Sequence, residues 1–411
     1  MSSSLKVSRK FPFQLACILL VISCSFPAFA ADRLQGDEPE VWLVTYGPGE
    51  VYWQRFGHNA IWIRDPGLGL DHVFNFGFFN FDQQDFFLRF LQGRMLYFAA
   101  ARPAREEFAA YINEDRSIRA QRLDLSPQQK FRLIDHLLEE IKPENRDYLY
   151  DYYANNCSTR VRDAIDLALD GLLEAEFQPA SAQLNWRDHT RRMTSGDFWL
   201  YLGLEVGLGA PVDRPVSRWD EMFIPGVLAA AVESVKYTGN GMVLPLVLED
   251  VLLNETSLDP PPASLHSWWP RYLLASLGVL FAVWLLCRFT FPGLMPVLSR
   301  SWLVFSGFVG LVLLFLWFGT DHSVTRPNLN LLVFCPLWIF LAFWKGHEKT
   351  VLLIVLAVSI GALAMTVLPP EQFNYDVLAA FLPVNLAAAL GLFRPRTLPV
   401  DLPGIPASTD R

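Results

Sequence analysis

The stretch Asn155-Asn156-Cys157-Ser158-Thr159-Arg160, followed by Val161, Ile165, Leu169 and Leu172, decides how this chain is read. The four apolar residues recur at helical spacing and mark one face of a helix. Asn155 or Asn156 is a good N-cap, which places Cys157 in the first turn. There the helix macrodipole favours the thiolate, and the four-residue step from Cys157 to Val161 turns the sulfur toward the buried side. The chain has five cysteines. Cys17 and Cys24 lie in an N-terminal apolar run, and Cys287 and Cys335 in C-terminal ones, so the segment between keeps Cys157 alone. One cysteine cannot form a disulfide within its own domain, and an oxidising compartment disfavours a stray thiol. A small buried core residue is the plain alternative to a nucleophile.

A thiol nucleophile needs a base. The histidines of the same segment are His58, His72, His136 and His189. His136 sits in an amphipathic helical pattern. His58 opens a β-prone run, His58-Asn59-Ala60-Ile61-Trp62-Ile63, in which His58, Ala60 and Trp62 share a face. The next such run, His72-Val73-Phe74-Asn75-Phe76-Gly77, carries Asn75 as an isolated polar residue among aromatics. Asn75 is the expected third member, holding the imidazole in one tautomer, with His72 as its substitute. A turn or edge position is the structural alternative for Asn75. A nucleophile at a helix start, facing a sheet that carries a histidine, is the papain-like arrangement. No pair of His, Asp or Glu has ligand spacing around Cys157, so no metal is expected, and no cofactor motif is present.

Outward from this centre the pattern is α+β. Residues 41–46 form a short apolar strand ending at Gly47-Pro48-Gly49. Residues 59–64 and 72–78, separated by Asp65-Pro66-Gly67, read as antiparallel neighbours. Helices are expected over 104–113 and 127–141, the latter with Ser126 as N-cap, Pro127 at the first position and Gln129 completing a capping box. The stretch 172–265 mixes Trp, Gly and Pro with short apolar runs, and periodicity does not resolve it.

The chain has 411 residues, 52% of them apolar and 18% charged. Its 42 acidic and 34 basic residues give a net charge of −8, which excludes an electrostatic footprint for nucleic acid. Apolar residues concentrate at the two ends. Lys6, Arg9 and Lys10 precede an apolar run over 11–26, and Ala28-Phe29-Ala30 offers a cleavage site, so residues 1–30 read as a secretory signal peptide. Five segments, about 272–291, 301–318, 329–344, 351–368 and 377–393, have spanning length. The expected cytoplasmic side holds Arg288, Arg300, Lys345, Lys349, Arg394 and Arg396, whereas the outer loops hold Arg326. That bias follows the positive-inside rule. The expected organisation is a periplasmic catalytic domain over 31–170, a periplasmic accessory region over 171–265, a membrane domain over 266–397 and a cytoplasmic tail over 398–411, in the inner membrane. Asp321, His322, Arg326, Asn328 and Asn330 cluster at the outer mouth of the spans, with Gln372, Asn374 and Asn385 at or within the fifth. Polar groups at membrane depth are expensive, so a substrate gate is the functional reading and a wet loop the bland one.

Several motifs together resemble one known family. They are Trp42-Leu43-Val44-Thr45-Tyr46-Gly47-Pro48-Gly49, Arg55-Phe56-Gly57-His58-Asn59-Ala60, Phe74-Asn75-Phe76-Gly77, Tyr150-Asp151-Tyr152, Asn156-Cys157-Ser158-Thr159-Arg160 and Met222-Phe223-Ile224-Pro225. Further matches lie at Asp321-His322 and Asn328-Leu329-Asn330-Leu331-Leu332 in the membrane part. The resemblance is to the Lnb family of bacterial lipoprotein N-acyltransferases. It implies transfer of a fatty acyl group, from a phospholipid or from the lipoprotein's own diacylglyceryl group, to the α-amino group of a lipoprotein's N-terminal cysteine. His58 and Cys157 match the family's catalytic pair, while no motif fixes the third residue. The order His58 then Cys157 is that of permuted papain-like enzymes, such as the NlpC-like and lecithin:retinol acyltransferase-like folds. On this reading the backbone N–H of Cys157 and Tyr46 form an oxyanion hole. Asn156, Arg160, His322, Arg326 and Asn328 join Tyr46 as expected substrate-binding residues, and no nucleotide or metal is required. Two other classes stay open: a membrane-tethered cysteine peptidase or amidase acting on the cell wall, and a non-enzymatic envelope assembly protein.

Overall fold

The computed structural model describes residues 38–392, apart from 68, 240–241, 265–266, 292 and 369–371. The expected signal peptide and cytoplasmic tail lie outside the described residues.

Alternation of apolar residues builds the sheet. Strands β1 (Glu40–Tyr46), β2 (His58–Asp65) and β3 (Leu70–Phe78) pair as antiparallel neighbours, with Leu43 opposite Ile61 and Ala60 opposite Asn75. Strands β4 (Leu96–Pro103), β5 (Ile118–Leu123), β6 (Asp147–Leu149) and β9 (Val247–Asn254) complete a seven-stranded antiparallel sheet in the order β6-β4-β3-β2-β1-β5-β9. A hairpin of β7 (Lys236–Gly239) and β8 (Met242–Pro245) stands apart from it. The seventh strand comes from the region expected to be accessory. Residues 171–265 are therefore woven into the sheet domain and do not form a separate body.

Helices α1 (Phe86–Gln92), α2 (Ala104–Asn113), α3 (Pro127–Glu140) and α4 (Cys157–Ala168) alternate with these strands. Shorter helices follow: α5 (Leu172–Phe177), α6 (Trp186–Thr194), α7 (Phe198–Gly207), α8 (Arg218–Glu221) and α9 (Pro225–Ser234). The two faces of the sheet have different partners. Leu43, Ile61, Ile63, Phe74 and Phe76 pack with α3, α4 and α9. Val44, Tyr46, Ala60 and Val73 face α2, with Phe108 and Tyr111. Val161 and Ile165 of α4 are fully buried, each stabilising the fold by roughly 1.5–3 kcal/mol.

In the C-terminal third, α10 (Trp269–Phe289) and α11 (Met295–Phe318) are long and apolar enough to cross a membrane. Two helices of 17 residues, α13 (Glu348–Ala364) and α14 (Tyr375–Gly391), follow. The segment expected as the third span is not one continuous helix. It consists of a 3-10 turn, Leu329–Leu332, then a break at Cys335-Pro336 and the short helix α12 (Leu337–Leu341). Pro336 has no N–H to continue a helix. The opened backbone is accommodated inside the protein, because Trp338 Nε1 and Asn385 Nδ2 both donate to the carbonyl of Val333. Gly310 of α11 lets the Phe334 carbonyl pass where any side chain would collide with it.

Candidate functional site

The helix that carries the thiol is fixed residue by residue. Asn156 is the N-cap: its Oδ1 accepts from Thr159 N at 3.0 Å, and Thr159 Oγ1 accepts from Asn156 N at 2.8 Å. Asn156 Nδ2 donates to the carbonyls of Tyr152 and Phe223. On the other side of the cysteine, Ser158 Oγ lies 2.8 Å from Asn59 Oδ1 and 2.6 Å from the Met222 carbonyl. Asn59 Nδ2 in turn donates to Thr45 Oγ1 at 2.8 Å. Residues 157–158 of α4 are thus tied to residue 59 of β2, the neighbour of His58. The backbone N–H of Asn59 also hydrogen-bonds the Cys157 sulfur. The β2–β3 ladder ends at Ala60↔Asn75, and Gly77 beyond it has φ +101°. That backbone conformation favours glycine, and Gly77 lies against the cysteine, since a Cβ there would be 3.4 Å from Cys157 Cβ.

His58 reaches the same strand end from the opposite face of the sheet, the face covered by α2. Its Nε2 is 2.9 Å from Asn75 Oδ1. The amide is oriented by Asn75 Nδ2, which donates to the Val73 carbonyl at 3.3 Å. Oδ1 therefore accepts, Nε2 carries the ring proton, and Nδ1 keeps the basic lone pair. The Asn75 side chain also bonds the carboxylate of Glu107, a buried group on α2 paired with Arg102 at 3.3 Å. Tyr46 stacks against His58 at 5.8 Å and against Tyr111 at 3.6 Å.

Burial sets the charge state. It lowers His58 to about 4, opposed only in part by the bond to Asn75. It also raises the Cys157 thiol above its usual value, against the backbone N–H groups of Asn59 and Ser158. Burial thus opposes the helix start at the thiol, and both Cys157 and His58 are shifted toward their neutral forms. Tyr97, Tyr148 and Tyr150 lie close enough to feel the charge of Cys157, and burial pushes Tyr97 up to about 12. A thiol in such a place is a candidate nucleophile, given a base to take its proton.

The remaining expected site residues have other places. Asn156 is buried, and its side chain is engaged in capping and in the bonds to Tyr152 and Phe223. Arg160 bonds Glu140 at 2.8 Å and lies 4.1 Å over the Tyr148 ring, forming part of the site's wall. His72 pairs with Ile63 and Pro103, at the far end of β2 from His58, so it does not substitute for Asn75. His322 Nε2 is 3.0 Å from the Phe90 carbonyl, and its ring stacks on Tyr152 at 6.2 Å. Arg326 reaches the Thr320 carbonyl at 3.5 Å. Asn328 is not a gate residue. Its Nδ2 donates to the Val206 and Gly207 carbonyls, and its Oδ1 accepts from Asn330 N and Gln372 Nε2. Asn330, Gln372 and Asn374 extend this clamp between α7 and the membrane helices.

Sequence reading missed Asn59, Ser158 and Glu107. Asn59 had a signal: period two puts it in the row of Ile61 and Ile63, where a polar residue needs a buried partner. Glu107 had none, since its partner Asn75 is set by tertiary packing. Among the described residues, no group of three or more His, Cys, Asp or Glu side chains converges as a metal site would require.

An α+β domain that carries a half-buried thiol and an asparagine-bound imidazole, continued by apolar helices of which two have spanning length among the described residues, has the make-up of a membrane protein with a folded domain outside its spans. Comparison with known families is more particular. Residues 25–192 match the Lnb N-terminal periplasmic domain, and residues 264–393 match the Lnb transmembrane domain. The chain belongs to the Lnb family. No curated protein and no solved structure matches it.

Proposed function

We propose that this protein is a lipoprotein-processing acyltransferase of the inner membrane, passing a fatty acyl group through a thioester on Cys157 to the α-amino group of a lipoprotein's N-terminal cysteine. The observation that carries this reading is the His58–Asn75 bond of 2.9 Å at the strand end where α4 presents Cys157. On this reading the site is a permuted papain-like one, with His58 preceding Cys157 in the chain. His58 Nδ1 takes the thiol proton as sulfur attacks the ester carbonyl of the donor. It returns the proton to the departing alkoxide, leaving the acyl group on sulfur. In the second half, the acceptor amine attacks the thioester, His58 removes the amine proton, and that proton returns to the released thiolate. Tyr46 supports the oxyanion assignment: its buried hydroxyl has no hydrogen-bond partner among the described residues, and burial keeps it protonated and able to donate.

The donor is a phospholipid or the lipoprotein's own diacylglyceryl group, and the acceptor is the lipoprotein. The spanning helices favour this reading over a tethered amidase, because both substrates of the acyl transfer reside in the membrane. Intact-mass measurement of a model lipoprotein tests it. Cys157→Ala abolishes the acyl mass increment while the protein stays folded, since such a change costs about 1 kcal/mol. With acceptor withheld, the wild-type enzyme carries an adduct released by neutral hydroxylamine. Full N-acylation by folded Cys157→Ala protein refutes the mechanism.

A further inference from the structure

The helix α1 is apolar on its outer surface and tied to the end of a spanning helix. Phe87 is 76% exposed, Leu88 51%, and Phe90 and Leu91 48% each. Phe81 just before it, and Trp53 beside it, are also exposed. In water a contiguous surface of this kind is a liability, and on a soluble face it marks a contact. Its position says with what. The loop that follows α11 holds the C-terminal end of α1 through three contacts: Asp321 N donates to the Gln92 carbonyl at 2.7 Å, Arg94 bonds Asp321 at 2.6 Å, and His322 Nε2 meets the Phe90 carbonyl at 3.0 Å. Gly93 closes α1, and a Cβ there would lie 2.7 Å from His322 N, so the two segments touch backbone to backbone. α1 is thereby fixed at the level where α11 leaves the bilayer.

From α1 an aromatic series runs inward. Phe86 stacks on Phe79 at 6.2 Å, Phe79 meets Tyr97 at 5.3 Å, and Tyr97 stacks on Tyr150 at 4.2 Å. Tyr97 and Tyr150 are two of the tyrosines that feel the charge of Cys157. We propose that α1 lies in the outer leaflet's headgroup–acyl boundary, with Phe87 and Leu88 among the lipid tails, and that the series Phe86-Phe79-Tyr97-Tyr150 is the path by which a phospholipid's ester reaches the thiol. Short apolar helices with Phe, Leu and Trp on the buried side are suited to this interfacial position. The path rests on the acyl-transfer reading, whereas the lipid contact stands without it.

The test uses the full-length protein in vesicles of phosphatidylethanolamine and phosphatidylglycerol. A photo-reactive benzoylphenylalanine is placed at Phe87, and separately at Val243, an exposed apolar residue on the β7–β8 hairpin. Phospholipid crosslinks at least tenfold more to position 87 than to position 243. Equal labelling at both, labelling at neither, or crosslinks from position 87 to protein alone overturn the proposal. In parallel, the double variant Phe87→Glu, Leu88→Glu acylates Cys157 from vesicle phospholipid about tenfold more slowly, and from water-soluble p-nitrophenyl butyrate within twofold of wild type. Equal rates with phospholipid, or equal losses with both donors, overturn the path. If Cys157 takes an acyl group from no donor in the wild type, the acyl-transfer reading fails, and the crosslinking still decides where α1 lies.

Discussion

Two buried networks built on asparagine do opposite things in this molecule. In the clamp beneath α7, the amides of Asn328, Asn330 and Gln372 hold partners on both their donor and their acceptor sides. Around His58 and Cys157, the asparagines are equally committed, but the Tyr46 and Tyr148 hydroxyls are buried with no hydrogen-bond partner among the described residues. A buried donor left unpaired costs about 1–3 kcal/mol. The clamp carries no such deficit, so its asparagines contribute to stability alone. The hydroxyls of Tyr46 and Tyr148 carry it, so a donor remains free there for a group that arrives later.

Substitutions can break this contrast, the largest effect first. His58→Ala lowers both Cys157 acylation and its discharge by about 10^3-fold in single-turnover measurements, because one imidazole serves both half-reactions. Loss of only one half-reaction assigns the other to a different base. The second effect is on stability against pH. His58 titrates at about 4 in the folded protein and near 6.5 unfolded, so between these values the unfolded state binds the extra proton. Stability is full above pH 6.5 and falls as pH drops toward 4, by about 3 kcal/mol from this group. Thermal unfolding at pH 7 and pH 4.5 shows a larger drop for wild type than for His58→Gln; equal drops place the titration elsewhere.

In the clamp, Asn330→Leu strands the Glu205 and Val206 carbonyls and the Asn374 amide. It lowers stability by about 2 kcal/mol, while turnover per folded molecule stays within twofold. A turnover loss without destabilisation would make the clamp part of the site. The smallest effect is His322→Ala, which removes the bond to Phe90 and the stack on Tyr152 and slows transfer severalfold. Unchanged turnover returns this loop to a purely mechanical role.

Local chemistry was readable in the amino-acid order, and long-range placement was not. The strands β1–β3, helix α2 and the Ser126 capping box depend on neighbours within a few residues, and each is found where the pattern puts it, while of the two N-cap candidates Asn155 and Asn156 the structure selects Asn156. Asn75 was singled out as a polar residue in an apolar run, and it does bond His58. Alternation along β2 separates His58 from the face of Ile61 and Ile63, but that α4 packs on that second face is set by tertiary contacts, which no periodicity shows. Hydropathy marks the 329–344 stretch by its composition and does not register the break at Pro336, which divides it into a 3-10 turn and a short helix. The polar residues Asn328 and Asn330 read as a gate for the same reason: their partners, carbonyls at the end of α7, lie more than a hundred residues away in sequence.

The sheet also imposes an order on biogenesis. Strand β5 pairs with β9, joining Ile118 to Asn254, and the nucleophile's helix is held by carbonyls of Met222 and Phe223 and packs on α9. All of these lie beyond residue 192, where the match to the N-terminal periplasmic domain ends. A nascent chain exported only that far has an open β5 edge, free to pair with another chain, and a cysteine whose cradle has not yet been made. The missing strand arrives only 15 residues before α10 begins at Trp269, counting from Asn254. Completion of the sheet therefore falls close to the emergence of the first apolar helix of spanning length, and the bonds that hold Asn156 and Ser158 form only in a chain made nearly that far.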